Sequence, residues 1–314
     1  DLATRVLRTP LDPAVSFGDD PLRMLRLFRF AATLNFDPDG AAVEAVQSMH
    51  GRLTIVSAER IRDELDKLML GSWVGDGLWG VIDSGLAEEF IPEIPALALE
   101  QDPHQRHKDV LAHTVAVVEK TSRNLTLRLA ALFHDIGKPA TRQFGPGGVA
   151  FHHHEVVGAR MTRDRMRALR YSKQMVSDVS QLVFLHKRPH TFKMGWTDSA
   201  VRRYVRDAGP LLDMLNELVR CDVTTRNEKR ARTIQRRIDE LEVRIEELSQ
   251  QEELDALRPP IDGNDVMSYL DLAPGPAVGR IMNRLLERRI DEGAYSPDEA
   301  YAMLDDWRDE FGAG

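Results

Sequence analysis

The 314-residue sequence predicts an all-α protein: one helical bundle, then a second helical bundle, then a helical tail. Three observations carry that expectation. Between Phe17 and Phe36 a cap residue, Asp20, and a proline suited to the first helical position, Pro21, precede apolar residues at helical spacing, Leu22, Leu25, Phe28, Ala32 and Leu34. From Ala41 to Pro95 the periodicity stays helical, with Ser57 as a start and Gly71 as a stop, and no strand pattern of comparable length interrupts it. Late in the chain Ile234, Ile238, Leu241, Ile245 and Leu248 step by four and three, a heptad seam too short for a full coiled coil.

Residues 1–100 read as the first unit, 101–225 as the second unit and 226–314 as the tail, with the LEQDPHQRHKDV stretch after Pro95 as the linker. Such a length buries two or three cores rather than one. No apolar run reaches the length of a membrane span, no secretory signal is present, and the single Cys221 offers no disulfide framework, which together fit a reducing cytoplasm. Fifty acidic against 42 basic side chains give a net charge of −8, a weak argument against a nucleic-acid binder. The distribution is more telling. Basic residues collect in Arg23, Arg26 and Arg29, in 160–173, in Arg202, Arg203 and Arg206, and in 226–237, each of which reads as a solvated helix face or as a path for a phosphate backbone.

Asp20 and Arg23 are three apart and share the first turn of their helix, so a carboxylate acceptor and a guanidinium fork can present side by side. Cytosine and adenine offer an exocyclic amino donor beside an unprotonated ring nitrogen, which this pair matches; uracil and guanine offer a carbonyl beside a ring N–H, which it does not. The plain alternative is a capping aspartate and a solvated arginine stripe.

The second constellation is His113, then His134 and Asp135 ending the apolar LRLAALFHDIGKP, then His154, His186 and Asp222. Imidazole and carboxylate suit a divalent transition metal, and a bridging aspartate could hold two ions to activate water against a phosphate. One histidine on an apolar face is usually a satisfied core group; six ligand-type residues in order point to a site. His152 and His153 read as surface neighbours, and His104, His107 and His190 have no role. Further on, GPAVG leads directly into a helix, so the backbone N–H groups of Ala277 to Arg280 could meet a phosphate.

Three motifs in order, DLATRVLRTP at 1–10, DDPLRMLRLFRFAATLNF at 19–36 and SAERIRDELDKLML at 57–70, resemble the neck of bacterial-type CCA-adding tRNA nucleotidyltransferases and the related poly(A) polymerases. The family's EDxxR segment, an amino-acid template selecting CTP and then ATP, falls on Asp19, Asp20 and Arg23, with Asp19 departing from the usual glutamate. The resemblance makes residues 1–100 a neck and RNA-binding body, and implies nucleotide binding by Asp19, Asp20, Arg23 and Arg26, RNA binding by Arg29, and a buttress for the template helix in Glu59, Arg60 and Glu64. The ordered histidines and aspartates, with GKPATR behind the pair at 134–135, resemble the HD phosphohydrolase domain that some of these enzymes carry. That implies catalytic His134 and Asp135 and a metal set of His113, His134, Asp135, His154, His186 and Asp222, suited to nickel, manganese or cobalt. The GPxVG turn, with Gly275, Val278 and Gly279, resembles the family's turn that touches tRNA.

The implied partners are tRNA, CTP and ATP. The family's nucleotidyltransferase head, with its magnesium-holding Asp-x-Asp, has no counterpart in these residues, and a chain opening on Asp1 inside a motif reads as part of a longer protein. The competing readings are a poly(A) polymerase, a free-standing HD phosphohydrolase and a noncatalytic tRNA-binding module.

Overall fold

The computed structural model describes residues 3–99, 109–145, 148–223, 228–252 and 258–311. The linker stretch from 100 to 108, with His104 and His107, and Arg226 lie outside the described residues, as does the side chain of His190. The chain divides into two compact units, one of Asp1–Pro189 with Pro210–Ile234 and one of His190–Gly209 with Gln235–Gly314. The division expected near residue 100 therefore falls inside the first unit.

In the first unit a short parallel pair, β1 (Val6–Leu7) and β2 (Asp37–Pro38), brackets α1 (Pro13–Asp19) and α2 (Leu22–Leu34). Asp12 caps α1 by accepting from the N–H groups of Ala14 and Val15, with Pro13 in the first helical position. The start of α2 lies one residue later than the sequence suggests. Pro21 takes the cap position, yet the Asp20 carboxylate still accepts from the Leu22 N–H at 3.2 Å and so satisfies an orphan donor. Leu22, Leu25, Phe28 and Ala32 are buried as the spacing predicts, whereas Leu34 at the helix end is exposed.

Next come α3 (Gly40–Met49), α4 (Ala58–Met69) and α5 (Val74–Asp83), with α2 packed against α4 and α5. Ser57 occupies the cap position of α4 without a side-chain hydrogen bond. Gly71 is a stop for a packing reason, since a Cβ there would lie 2.4 Å from the Ala32 carbonyl oxygen.

The same unit continues through α6 (Val110–Lys120), α7 (Leu125–Phe133), α8 (His154–Ala168), α9 (Lys173–Leu185) and, after the second unit's α10 (Asp198–Ala208), α11 (Leu212–Cys221). Side-chain caps start three of them: Asp109 to the Ala112 N–H, Asn124 to Leu127, Ser172 to Met175. Between α7 and α8 the chain makes an antiparallel hairpin, β3 (Arg142–Gly145) and β4 (Gly148–Phe151), which the helical reading did not foresee. Two buried or half-buried groups fasten this bundle to α4. The Arg128 guanidinium donates to the carbonyls of Met69 and Gly71, and the Tyr171 hydroxyl donates to Asp66.

The second unit holds α10, most of α12 (Glu228–Glu252), α13 (Gly263–Leu270), α14 (Pro276–Glu292) and α15 (Pro297–Phe311). Its core gathers Ile261, Val266, Val278, Ile281, Leu285, Ala300 and Leu304. A capping box of Asp262 and Asp265 starts α13. Ile238, Leu241, Ile245 and Leu248 of the heptad seam are buried. No described helix is long and apolar enough to cross a membrane.

Candidate metal centre and nucleotide template

All six predicted ligands converge in the first unit. His113 projects from α6, His134 and Asp135 end α7, His154 opens α8, His186 ends α9 and Asp222 ends α11, so five helices deliver six side chains to one point. Gly137 lets the turn after Asp135 lie on the first turn of α8; a Cβ there would fall 2.2 Å from the His154 carbonyl oxygen. His134, Asp135, His154 and His186 are buried, and His113 nearly so.

Asp135 sits in the middle. One carboxylate oxygen lies 3.2 Å from His134 Nε2 and 3.6 Å from His113 Nε2, the other 3.4 Å from His154 Nε2. Asp222 reaches His113 Nε2 at 2.9 Å and His134 Nε2 at 3.7 Å. Two overlapping ligand triads result, His113–His134–Asp135 and Asp135–His154–His186, sharing the aspartate.

The tautomers follow from the backbone. His134 Nδ1 faces the Ala131 carbonyl at 2.7 Å, His154 Nδ1 the Phe151 carbonyl at 2.9 Å and His186 Nδ1 the Val183 carbonyl at 2.6 Å. A carbonyl only accepts, so each Nδ1 carries a proton and each ring turns its Nε2 inward, with a lone pair there whenever the ring is neutral. These lone pairs face one another and the carboxylates. His134 Nε2 lies 3.3 Å from His113 Nε2, and the buried His154 Nε2 has no hydrogen-bond partner. Acceptors crowded this way repel unless a proton or cation sits among them.

The titration directions agree. Burial and the neighbouring His134 push His186 down to about 3. Burial also lowers His113 and His154. Burial opposes the charged form of His134 too, but Asp135 and Asp222 override it and hold the imidazolium above its usual range. Burial likewise opposes Asp135 ionisation, and His134 with Lys138 prevails, keeping the carboxyl well below its usual range. Lys138, whose Nζ lies 2.5 Å from Asp135, had no role in the sequence reading; the i,i+3 spacing after Asp135 was the available signal. His152 and His153 are exposed, as expected.

The residues predicted as a template form a second cluster. Arg23 extends from α2 and donates through Nη1 to the Ser16 carbonyl at 3.1 Å and the Ser16 hydroxyl at 3.3 Å. Asp20 faces Arg60 of α4, whose Nη2 lies 3.3 and 3.1 Å from the two carboxylate oxygens, and Arg26 at 3.8 Å. The arginine stripe is thus not simply solvated. Arg26 and Arg29 lie 3.3 and 2.9 Å from the buried Glu64, which Lys67 also approaches at 3.3 Å. Asp19 is exposed.

Other basic patches also have partners. Arg165 makes a forked pair with Glu93, Arg202 is buried and donates to the Ile290 carbonyl, and Arg203 and Arg206 pair with Glu287 and Asp291. At the GPAVG turn α14 begins at Pro276, with Gly275 and Gly279 exposed. Val278 packs into the second unit's core, and the Gly279 N–H turns to the Gly275 carbonyl, so the side chain of the first and the amide of the second are committed internally.

Residues 108–239 match the family model of the HD domain, and residues 35–97 match the model described as the probable RNA and SrmB-binding site of polymerase A. A CC-adding tRNA nucleotidyltransferase of Thermus thermophilus is 33% identical over 304 residues, covering 92% of this chain and 67% of the relative. An A-adding tRNA nucleotidyltransferase of Deinococcus radiodurans is 31% identical over 325 residues, covering 99% of this chain and 73% of the relative. Among solved structures, a Bacillus stearothermophilus CCA-adding enzyme in complex with CTP superposes with a TM-score of 0.61 at 16% identity, over 98% of this chain and 67% of that one, a likeness of fold. The extent and identity of these matches place the chain in the tRNA nucleotidyltransferase family, in the branch that carries an HD domain.

Proposed function

We propose that this chain is the template, RNA-binding body, HD bundle and tail of an enzyme that adds C and A to the 3′ end of tRNA. The observation that carries the reading is the similarity along nearly the whole chain to nucleotidyltransferases that add CC in one case and A in the other. Asp20 and Arg23 supply the acceptor and donor for cytosine and adenine, with Asp19 and Arg26 beside them; Arg29 and the exposed Gly275 belong to the RNA-facing set, while the Val278 side chain and the Gly279 amide are turned inward and only position that turn. Magnesium serves the nucleotidyl transfer, whose carboxylates belong to the head, and the cytoplasm is where tRNA substrate is found. The test is extension by the full-length protein of tRNAs ending before, within and after CC, supplied with CTP or ATP. Addition of both nucleotides in order is expected. Addition of C alone or A alone would narrow the enzyme to one step, and adenylate runs on non-tRNA substrates would favour a poly(A) polymerase.

A second activity is supported by the six-ligand cluster. His113, His134, Asp135, His154, His186 and Asp222 fit one or two divalent ions, because they form two overlapping triads of ligand atoms that share the buried Asp135, and the buried His154 Nε2 makes no hydrogen bond among the described residues. A bound nickel, manganese or cobalt ion supplies Lewis acidity toward water and a phosphoester oxygen. The protein's own groups fix the geometry: backbone carbonyls hold three imidazoles, and Lys138 balances Asp135. Asp135→Asn keeps the side-chain size and weakens the shared ligand. It is expected to lower bound metal at least tenfold and to abolish chelator-sensitive hydrolysis of 2′,3′-cyclic nucleotides and p-nitrophenyl phosphodiesters. A native protein with no metal and no such hydrolysis would leave the bundle with a structural role alone.

A further inference from the structure

The two halves of the template differ in readiness. Arg23 is held from behind: Nη1 alone is spent on Ser16, and Nε and Nη2 make no hydrogen bond or ion pair among the described residues. Asp20 is occupied. A single nitrogen, Arg60 Nη2, bridges both carboxylate oxygens at 3.1 and 3.3 Å, which is the position between the two syn lone pairs, while the Leu22 N–H takes a further site on one oxygen. An exocyclic amine approaching the front of the carboxylate needs that same position.

The geometry points to Arg60 as a specificity-determining gate on the template: it closes the acceptor half, and a base opens it only by offering an amino group in exchange. This rests on the reading of Asp20 and Arg23 as the base-selecting pair. Cytosine and adenine replace one donor by another at Asp20, so the carboxylate stays satisfied throughout. Uracil brings a carbonyl, which cannot replace Arg60 on a carboxylate and would leave two acceptors facing each other. The exchange is cheap enough to happen because the Arg60 side chain is 51% exposed, where an ion pair holds weakly and water receives the released guanidinium. Arg60 is also well placed to be released rather than lost, since α4 is fixed by the buried Glu64 on one side and by Arg128 at its end.

The test is equilibrium binding of CTP, ATP and UTP to the full-length enzyme carrying Arg60→Gln, Arg60→Lys or Arg23→Ala, with thermal midpoints in parallel. Removing the competitor in Arg60→Gln is expected to tighten CTP and ATP two- to fivefold, the upper figure being about 1 kcal/mol, and to give UTP no gain. Arg60→Lys keeps the charge without the planar fork and is expected to move the same way by less; it carries the test if the glutamine variant does not fold. Weaker binding of CTP and ATP in either variant, or an equal shift for all three nucleotides, would overturn the gate and reduce Arg60 to a support of the helix. Arg23→Ala separates the two levels: an unchanged preference for CTP over UTP in that variant would sink the template reading itself, whatever Arg60 does.

Discussion

Replacing Arg128 by methionine tests whether the HD bundle is fastened to α4. Arg128 is 3% exposed, lies on the otherwise apolar α7 and spends its guanidinium on the carbonyls of Met69, the last residue of α4, and of Gly71 just beyond it, the latter at 2.7 Å. Methionine keeps most of the aliphatic stem and removes the donors. Two buried carbonyls then go unpaired, at about 1–3 kcal/mol each, while relief of the guanidinium's own burial, which depresses its pKa, returns part of that. A net loss of about 2–4 kcal/mol is expected. For a domain of this size that is roughly 4–16 °C in the thermal midpoint, read by circular dichroism on the metal-free protein. The neighbouring Arg123 donates to the Leu70 carbonyl at 3.0 Å from an exposed position, so Arg123→Ala is the matched control and should shift the midpoint by no more than a few degrees. If Arg128→Met melts with the control, water serves those carbonyls and the bundle is not fastened there.

Two further outcomes are expected. Glu64→Gln removes the countercharge of Arg26, Arg29 and Lys67 at a 4% exposed position, and should cost about 1–3 kcal/mol and blur C and A selection in tRNA extension; unchanged selection and midpoint would make those arginines independent of it. His186, held down to about 3 by burial, stays neutral in the folded chain where an unfolded imidazole takes a proton near its usual ~6.5, so stability present above that value is lost as pH falls toward 3. His113 and His154 act in the same direction and His134 in the opposite one. For His186 alone the loss between pH 6.5 and 5 is about 2 kcal/mol, and a metal-free His186→Gln variant whose midpoint falls as steeply as the wild type over that range would refute the assignment.

The convergence of the six ligand-type side chains was legible because few residue types can be ligands and because these stood on segments too apolar to leave a carboxylate unpartnered. His134 and Asp135 at the end of LRLAALF announced themselves by that contrast. Arg128 stands in the same segment and offered the same contrast, a lone cation on a buried face, yet a long side chain reads as solvated until its acceptors are known. The arginine runs failed for a related reason. A run shows where charge is dense but not which distant carboxylate or carbonyl meets it, and Glu93, Glu287 and the Ile290 carbonyl lie more than 70 residues away from their arginines. The hairpin of β3 and β4 was missed because four-residue strands carry little periodicity and Phe151 runs straight into the histidines. Heptad spacing, by contrast, anticipated the buried Ile238, Leu241, Ile245 and Leu248 of α12 without any knowledge of what they would meet, and overreached only at the half-buried Ile234.

The position of α4 explains how one bundle can serve two purposes. Its first turns hold Asp20 through Arg60 and the arginines of α2 through Glu64, and its far end and outer face are taken by Arg128, Arg123 and Tyr171 of the HD bundle. Asp135 follows Arg128 by seven residues, about 10 Å along a helix, and the two share no hydrogen-bond partner. Sites so separated lose stability independently. An HD bundle stripped of its ligands could therefore still brace α4, whereas one stripped of Arg128 would keep its ligands and lose its hold. Retention of the bundle in a nucleotidyltransferase thus has a mechanical reason that stands apart from any hydrolysis at Asp135.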